Sequence, residues 1–390
     1  MQPFLQQLLA GQTVEWKPLG DLAVIKTGQA VSKQMISDNS GQYPVINSGR
    51  EPLGFIDTWN TDNDPIGITT RGAGVGSITW QEGRYYRGNL NYSVTIKDNL
   101  QLNVRYLYHV LLQFQHEIHA LCSFSGIPAL NASELKKLYI PIPPLSVQTK
   151  IAQILDTFTA ITAELTAELN IRNQQYQYYR DKLLSVDELA KVGFEWKTLG
   201  EICHYVDYRG KTPNKAESGI YLVTAKNIKK GFIDYEASKE YVLESEYQEV
   251  MRRGLPKLGD VLITTEAPCG HVAQVDREDI ALAQRVIKYC SKNPNVLSND
   301  FLKFVLLGKY FQNELSKYAT GGTVKGIKGS VLHKIEIPIP PLSEQVRIVA
   351  ILDKFETLTQ PITEGLPREI ELRQKQYAYY RERLLGFSRI

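Results

Sequence analysis

The chain has 390 residues, 43% of them hydrophobic and 22% charged, with a formal net charge of +3. That is enough for two or more packed domains, and the slight positive charge permits a nucleic-acid partner without requiring one. No apolar run approaches the roughly 18 residues of a membrane span, and no basic stretch precedes the apolar residues of MQPFLQQLLAG, so neither a membrane anchor nor a secretory signal is expected.

In chain order, FLQQLLAGQTVEW opens the sequence, and a similar run from helix end to strand start lies around Lys182–Trp196. The first residues are therefore expected to form a helix that docks on the C-terminal one. A variable body follows, in which Gly72-Ala73-Gly74-Val75-Gly76 leads into SITW, a strand-like stretch. This favours a tight β-turn or a DNA-facing loop over a cofactor site, because a phosphate cradle needs a helix behind it. IPIPPLS at 140–146 is a step whose prolines Pro141, Pro143 and Pro144 forbid an ordinary helix. After it, Val147, Ile151, Ile154, Phe158, Ile161 and Leu165 alternate spacings of four and three, the seam of a helix packed on another helix. Ser146 suits the N-cap of that helix. The tetrads Thr162–Leu165 and Thr166–Leu169 repeat TAEL and interrupt the seam locally; they read either as plain helix-favouring sequence rich in Ala, Glu and Leu or as an insert that sets the distance between the bodies.

The whole order then recurs. VEWKPLGDL at 14–22 returns as FEWKTLGEI at 194–202, IPIPPLS returns letter for letter at 337–343, and IRNQQYQYYRDKLLS from Ile171 returns as LRQKQYAYYRERLLG from Leu372. Between these edges the bodies have diverged; Ile68-Thr69-Thr70 against Ile263-Thr264-Thr265 is one of the few pairs that survive. The second seam is Ile348, Ile351, Phe355, Leu358 and Ile362, Ser343 takes the N-cap place, and Gly365 with Pro367 predicts a kink or break. Duplication on this scale implies two similar units. The clusters Tyr176, Tyr178, Tyr179, Arg180 and Tyr377, Tyr379, Tyr380, Arg381 either pack on the adjacent body or meet a partner protein.

Motifs for chemistry are missing. An adenine methyltransferase needs Asn or Asp before Pro-Pro-aromatic to hold a flipped base, and IPIPPL lacks it. GGTVKGIKGS at 321–330 lacks the Gly-Lys-Ser/Thr ending of a nucleotide-binding loop, and reads as a surface loop or a mobile lysine-bearing loop near phosphates. His116 and His119 are misspaced for a zinc helix. Cys122, Cys203, Cys269 and Cys290 are too far apart for zinc and read as reduced core residues of a cytosolic protein. The expectation is no catalytic residue, no cofactor and no metal.

The EWKxLG openings, the IPIPPLSxQxxI steps, LDxF, TAELTAEL and the closing ITEGLPREIELRQKQYxYYR together resemble the specificity subunit of type I restriction-modification systems. The resemblance runs over the whole chain, is specific in the helical regions and only architectural in the bodies. It implies an α+β fold with two mixed α/β target-recognition domains separated by two long antiparallel coiled-coil helices. The expected boundaries are 1–145 for the first domain (1–13 being the docking helix), 146–193 for the central spacer helix, 194–342 for the second domain and 343–390 for the distal helix. The family's role implies double-stranded DNA as ligand, each body reading one half of a split asymmetric site, and two methyltransferase and further restriction subunits as partners. A non-catalytic coiled-coil scaffold that binds protein partners is the competing reading.

For a DNA reader, lysine and arginine hold phosphates while arginine, asparagine and glutamine read base edges. The first body offers Lys26, Lys33, Gln34, Asn47, Arg50, Arg71, Arg84, Tyr85, Tyr86, Arg87 and Asn89. The second offers Tyr208, Arg209, Lys211, Lys215, Lys226, Asn227, Lys229 and Lys230, joined by Lys325 and Lys328, with Gln284 and Arg285 as a pair that faces a groove.

Overall fold

The letters repeated at the edges of each body pair with one another. In the computed structural model, which describes residues 3–49, 51–208, 213–359 and 365–388, strand Glu15–Pro18 runs antiparallel to Tyr139–Ile142, with Trp16 opposite Pro141. Strand Glu195–Thr198 runs antiparallel to Glu336–Ile339, with Trp196 opposite Pro338. EWK and IPI thus form a two-stranded clasp that closes each body. A ribbon of two strands has only edges, where a proline's missing N–H does no harm.

The chain divides into two units, Met1–Ala163 with Glu371–Ile390, and Glu164–Ile370. In the first, a four-stranded antiparallel sheet has the order Ala23–Thr27, Asn91–Ile96, Ile66–Thr69, Ile78–Trp80. In the second, Cys203–Asp207, Val286–Ser291, Val261–Thr265 and Cys269–Gln274 take the same order. A smaller sheet accompanies each and holds one parallel pair, Ser40–Ile46 with Arg84–Arg87 in the first unit and Ile220–Val223 with Ile280–Leu282 in the second. The first unit adds a strand, Thr61–Asp62, on the far side of Arg84–Arg87. The frame is shared and the additions differ.

Helices Val104–Gln113 and Asn299–Leu307 carry each body onto its coiled segment. In the first unit Tyr106, Leu107, Val110 and Leu111 share one buried core with Ile151, Leu155, Leu384 and Leu385; Leu5 and Leu9, from helix Pro3–Leu9, belong to it as well. In the second, Phe301, Leu302, Phe304 and Val305 share a core with Leu183, Leu184, Ile348 and Leu352.

Helix Leu145–Leu183 is continuous over 39 residues, about 58 Å at 1.5 Å per residue. Its first half pairs antiparallel with helix Leu366–Leu385, where Phe158 stacks on Tyr380 at 5.2 Å. Its second half pairs with helix Leu342–Thr359, where Tyr179 stacks on Phe355 at 5.5 Å and the Tyr176 hydroxyl donates to Glu356 at 3.1 Å. Gly365, at φ +127°, stands just before the last helix and Pro367 lies in its first turn, so the expected break is present. Ile362 lies outside the described residues. The seam is fully buried only near the bodies; Ile161 and Leu165 are half-buried.

One local expectation is corrected. Ser146 and Ser343 are not N-caps, since the helices begin at Leu145 and Leu342 and both serines lie in the first turn. The prolines set the start: Val147 and Gln148 donate their N–H to Pro144 O, as Glu344 and Gln345 do to Pro341 O. A residue that precedes proline is barred from helical geometry, so Pro143 and Pro340 stay extended and the helix begins just after.

Candidate nucleic-acid interface

Each unit builds the same junction from three backbone segments. In the second, Thr265 N–H donates to Arg285 O at 2.8 Å and Ile327 N–H to Thr265 O at 2.9 Å. Thr320 and Gly326 exchange two hydrogen bonds at 2.9 Å and pinch off the loop between them, while Gly326 also bridges to Glu266. In the first unit Thr70 N–H donates to Leu90 O at 2.9 Å and Leu130 N–H to Thr70 O at 2.8 Å. Ser123 and Ala129 pinch the matching loop, and Ala129 bridges to Arg71. The backbone pattern is therefore duplicated and its side chains are not: Arg71, Asn89 and Leu90 stand in one unit where Glu266, Gln284 and Arg285 stand in the other.

Around the second junction lies a cavity of about 480 Å³ whose walls include Glu266, Gln284, Arg285, Val324 and Lys328. Arg285 Nε lies 3.5 Å from Glu266 Oε2, and Lys325 is exposed in the pinched loop. Glu266 and Lys328, 328 − 266 = 62 positions apart, are thus brought to one rim. In the first unit Arg71 and Asn89 are exposed at the junction, and its loop presents Phe124 and Ile127, 53% and 70% exposed, in place of lysines.

The glycine-rich run 72–76 is the turn between Ile66–Thr69 and Ile78–Trp80, closed by Gly76 N–H on Thr69 O at 2.8 Å. It leads into a strand, as its sequence suggests.

Other predicted residues scatter over two further surfaces. Lys26 lines a polar cavity of about 330 Å³ in the first unit, together with Gln29, Asn60, Asp62, Asp64 and Thr95. Arg84 is exposed beside it, donating to Asp62 at 3.2 Å and lying 4.7 Å over the Trp59 ring; the hydrogen bond to Asp62 holds its pKa above the ordinary value. Lys33 and Gln34 are exposed on helix Lys33–Asp38, where Gln34 donates to Asp38 at 2.7 Å. In the second unit Lys226, Lys229 and Lys230 share a loop held against strand Cys269–Gln274 by Gly231 N–H on Val272 O at 2.8 Å. Lys229 donates to Lys226 O at 2.8 Å, and Lys215 is paired with Glu240 at 3.0 Å.

Six candidates are buried and serve the frame. Arg87 is 3% exposed and donates to Ile66 O, Asn91 Oδ1, Tyr92 O and Asp64 O at 2.6–3.1 Å, so its guanidinium faces inward; burial lowers its pKa. Tyr85 donates to Asp64 O at 2.6 Å, and burial raises its pKa. Asn47 accepts from Leu90 N–H at 2.9 Å, and Tyr208 donates to Gly254 O at 2.6 Å. Asn227, with no exposed surface, accepts from Thr224 N–H and donates to Asp234 O and Ser238 O, each at 2.9 Å, which shapes the lysine loop beside it. Tyr86 is buried as well. Arg50, Arg209 and Lys211 lie outside the described residues.

Sequence reading missed Glu266 and Trp59, the partners of Arg285 and Arg84, because a single acid or ring carries no pattern until the fold pairs it. Among the described residues, no group of three or more His, Cys, Asp or Glu could hold a metal ion, and no helix is long and apolar enough to cross a membrane.

The family model described as the type I restriction modification DNA specificity domain matches twice, at residues 12–172 and 191–372. A putative type I restriction enzyme specificity subunit of Haemophilus influenzae is 34% identical over 401 residues, covering 99% of this chain and 98% of its own. The EcoR124I/EcoR124II specificity subunit of Escherichia coli is 35% identical, covering 99% and 97%. Among solved structures, the S subunit of a type I restriction-modification system from M. genitalium shares the fold, with a TM-score of 0.66 at 20% identity over 97% of each chain. With two copies of the family's domain and relatives similar from end to end, the chain belongs to the type I restriction-modification DNA specificity subunits.

Proposed function

We propose that each body reads one half of a split, asymmetric DNA site, and that the paired helices set the distance between the halves and bind two methyltransferase subunits. Restriction subunits join that core. On this reading the complex performs adenine methylation and ATP-dependent cleavage in the cytoplasm, and this chain contributes recognition alone. The observation that carries it is the junction built twice on one backbone plan with different side chains at matching places: a shared holder with interchangeable readers is what an asymmetric two-part target requires. The exposed set of Lys26, Lys33, Gln34, Arg71, Arg84 and Asn89 would serve the first half-site. Lys215, Lys226, Lys229, Lys230, Arg285, Lys325 and Lys328 would serve the second.

The test exchanges residues 203–336 for the equivalent segment of another specificity subunit and maps methylated sites across a genome. One half-site should change while the other keeps its sequence. A change in both halves would end the idea of independent reading, and a chimera and parent that both fail to direct methylation to any motif would favour a protein scaffold.

A further inference from the structure

We propose that Arg285 and Glu266 act as a pair that reads a single G·C base pair, an assignment that rests on the DNA-reading function proposed above. The two side chains stand on neighbouring backbone segments locked by Thr265 N–H on Arg285 O and by the bridge between Glu266 and Gly326. The pinched loop runs close beside the glutamate stem, where a Cβ at Gly326 would lie 3.4 Å from Glu266 Cγ. Both side chains are nearly half exposed, at 48% and 42%, and their closest approach is 3.5 Å. A well-formed charged hydrogen bond is about 2.7–2.9 Å, so this pair is held near one another yet is loose enough to open toward a better partner.

The chemistry of that partner follows. In the major groove guanine offers two acceptors, O6 and N7, and its cytosine offers one donor, the N4 amino group. A guanidinium fork beside a carboxylate matches that edge across both strands. It does not match A·T, where adenine N6 would face the guanidinium with a donor. Lys328 on the same cavity wall, and Lys325 on the loop, would lie near phosphates and fix register without reading sequence.

The backbone supplies an independent reason. Arg285 has φ +72°, in the left-handed region that glycine adopts freely and other residues rarely do. Strain of this kind at a cavity rim points to a side chain whose placement matters. In the first unit the matching residue is Leu90 and the counterpart of Glu266 is Arg71, so the arginine stands on the other segment with no acid opposite it, which fits a different base pair there.

The experiment selects duplexes from a random-sequence pool with the full chain assembled with its methyltransferase, comparing wild type, Arg285→Gly and Glu266→Ala. Wild type should select a two-part motif with a G·C pair in one half. Arg285→Gly should lose preference at that pair by roughly tenfold to a hundredfold, leave the other half unchanged, and melt no lower than wild type, because glycine relieves the backbone. Glu266→Ala should relax the same position. The pairing is overturned if Arg285→Gly keeps every base preference, or if affinity falls equally on all sequences, which would make Arg285 a phosphate contact. A wild-type complex that selects no motif would bring down the DNA-reading function itself, and with it this assignment.

Discussion

Gln148 and Gln345 show how much a single repeated letter can hold. Each follows its proline step by the same number of residues, each is fully buried, and each makes the same three bonds. Gln148 accepts from Asn103 N–H at 2.9 Å and donates to Gln101 O and Pro143 O at 2.9 and 2.8 Å. Gln345 accepts from Ser298 N–H at 3.0 Å and donates to Val296 O and Pro340 O at 2.7 and 2.9 Å. The amide thus stitches the loop ahead of a body helix to the proline step. Gln345→Leu leaves three buried backbone groups without that partner and should destabilise the second unit by about 2–4 kcal/mol, read as a lower urea midpoint. A variant within about 0.5 kcal/mol of wild type would mean that water replaces the amide. Other body-to-helix links use unlike residues for one purpose. In the first unit His109 bonds Asp156 at 2.7 Å and the Tyr377 hydroxyl at 3.2 Å, and burial lowers its pKa. In the second, Lys303 Nζ lies 2.7 Å from Glu356; burial raises the Glu356 pKa against the pull of that lysine.

At the scale of elements, the tetrads Thr162–Leu165 and Thr166–Leu169 lie inside one unbroken helix, where the first unit ends and the second begins along the chain. Thr162 returns its hydroxyl to Phe158 O at 2.8 Å, so the repeat has no local turn of its own and acts as added helix. Four helical residues span about 6 Å and slightly more than one turn, against about 3.4 Å per base pair along DNA. Deleting Thr166–Leu169 should therefore shorten the gap between methylated half-sites by roughly one or two base pairs and leave both half-site sequences intact; mapped methylation sites with an unchanged gap would refute the spacer role. The tyrosine clusters divide by position. Tyr176 and Tyr377 pack against the cores of their units, whereas Tyr178, Tyr179, Tyr379 and Tyr380 remain 37–60% exposed.

For the molecule as a whole, a net charge of only +3 gives little long-range attraction to DNA, so on the proposed DNA-reading function affinity comes from lysines and arginines concentrated at the junctions and loops. Each neutralised phosphate releases counterions, and the logarithm of the binding constant falls with the logarithm of salt by about 0.9 per contact. Six or more such contacts should cost on the order of a thousandfold in affinity between 50 and 200 mM salt. Equilibrium titration of the assembled complex measures this slope, and a nearly flat response would show that charge contacts do not drive binding.

Much of the organisation was legible because it was written twice. Proline positions and the four-three seam act through backbone geometry and local periodicity, which depend on near neighbours in sequence, and the duplicated motifs mark the unit edges. They are enough for two units and long paired helices with a break near Gly365, whereas the pairing of EWK with IPI as a clasp appears only in the fold. The candidate site was only partly legible. Nothing in the letters distinguishes Arg87, turned inward onto four acceptors, from Arg84 three residues before it, and nothing joins Glu266 to Arg285 or Gln148 to Gln101. Those distinctions depend on which segments the fold brings within hydrogen-bonding distance, and it is burial that decides whether a charged group serves the frame or is left to meet a ligand.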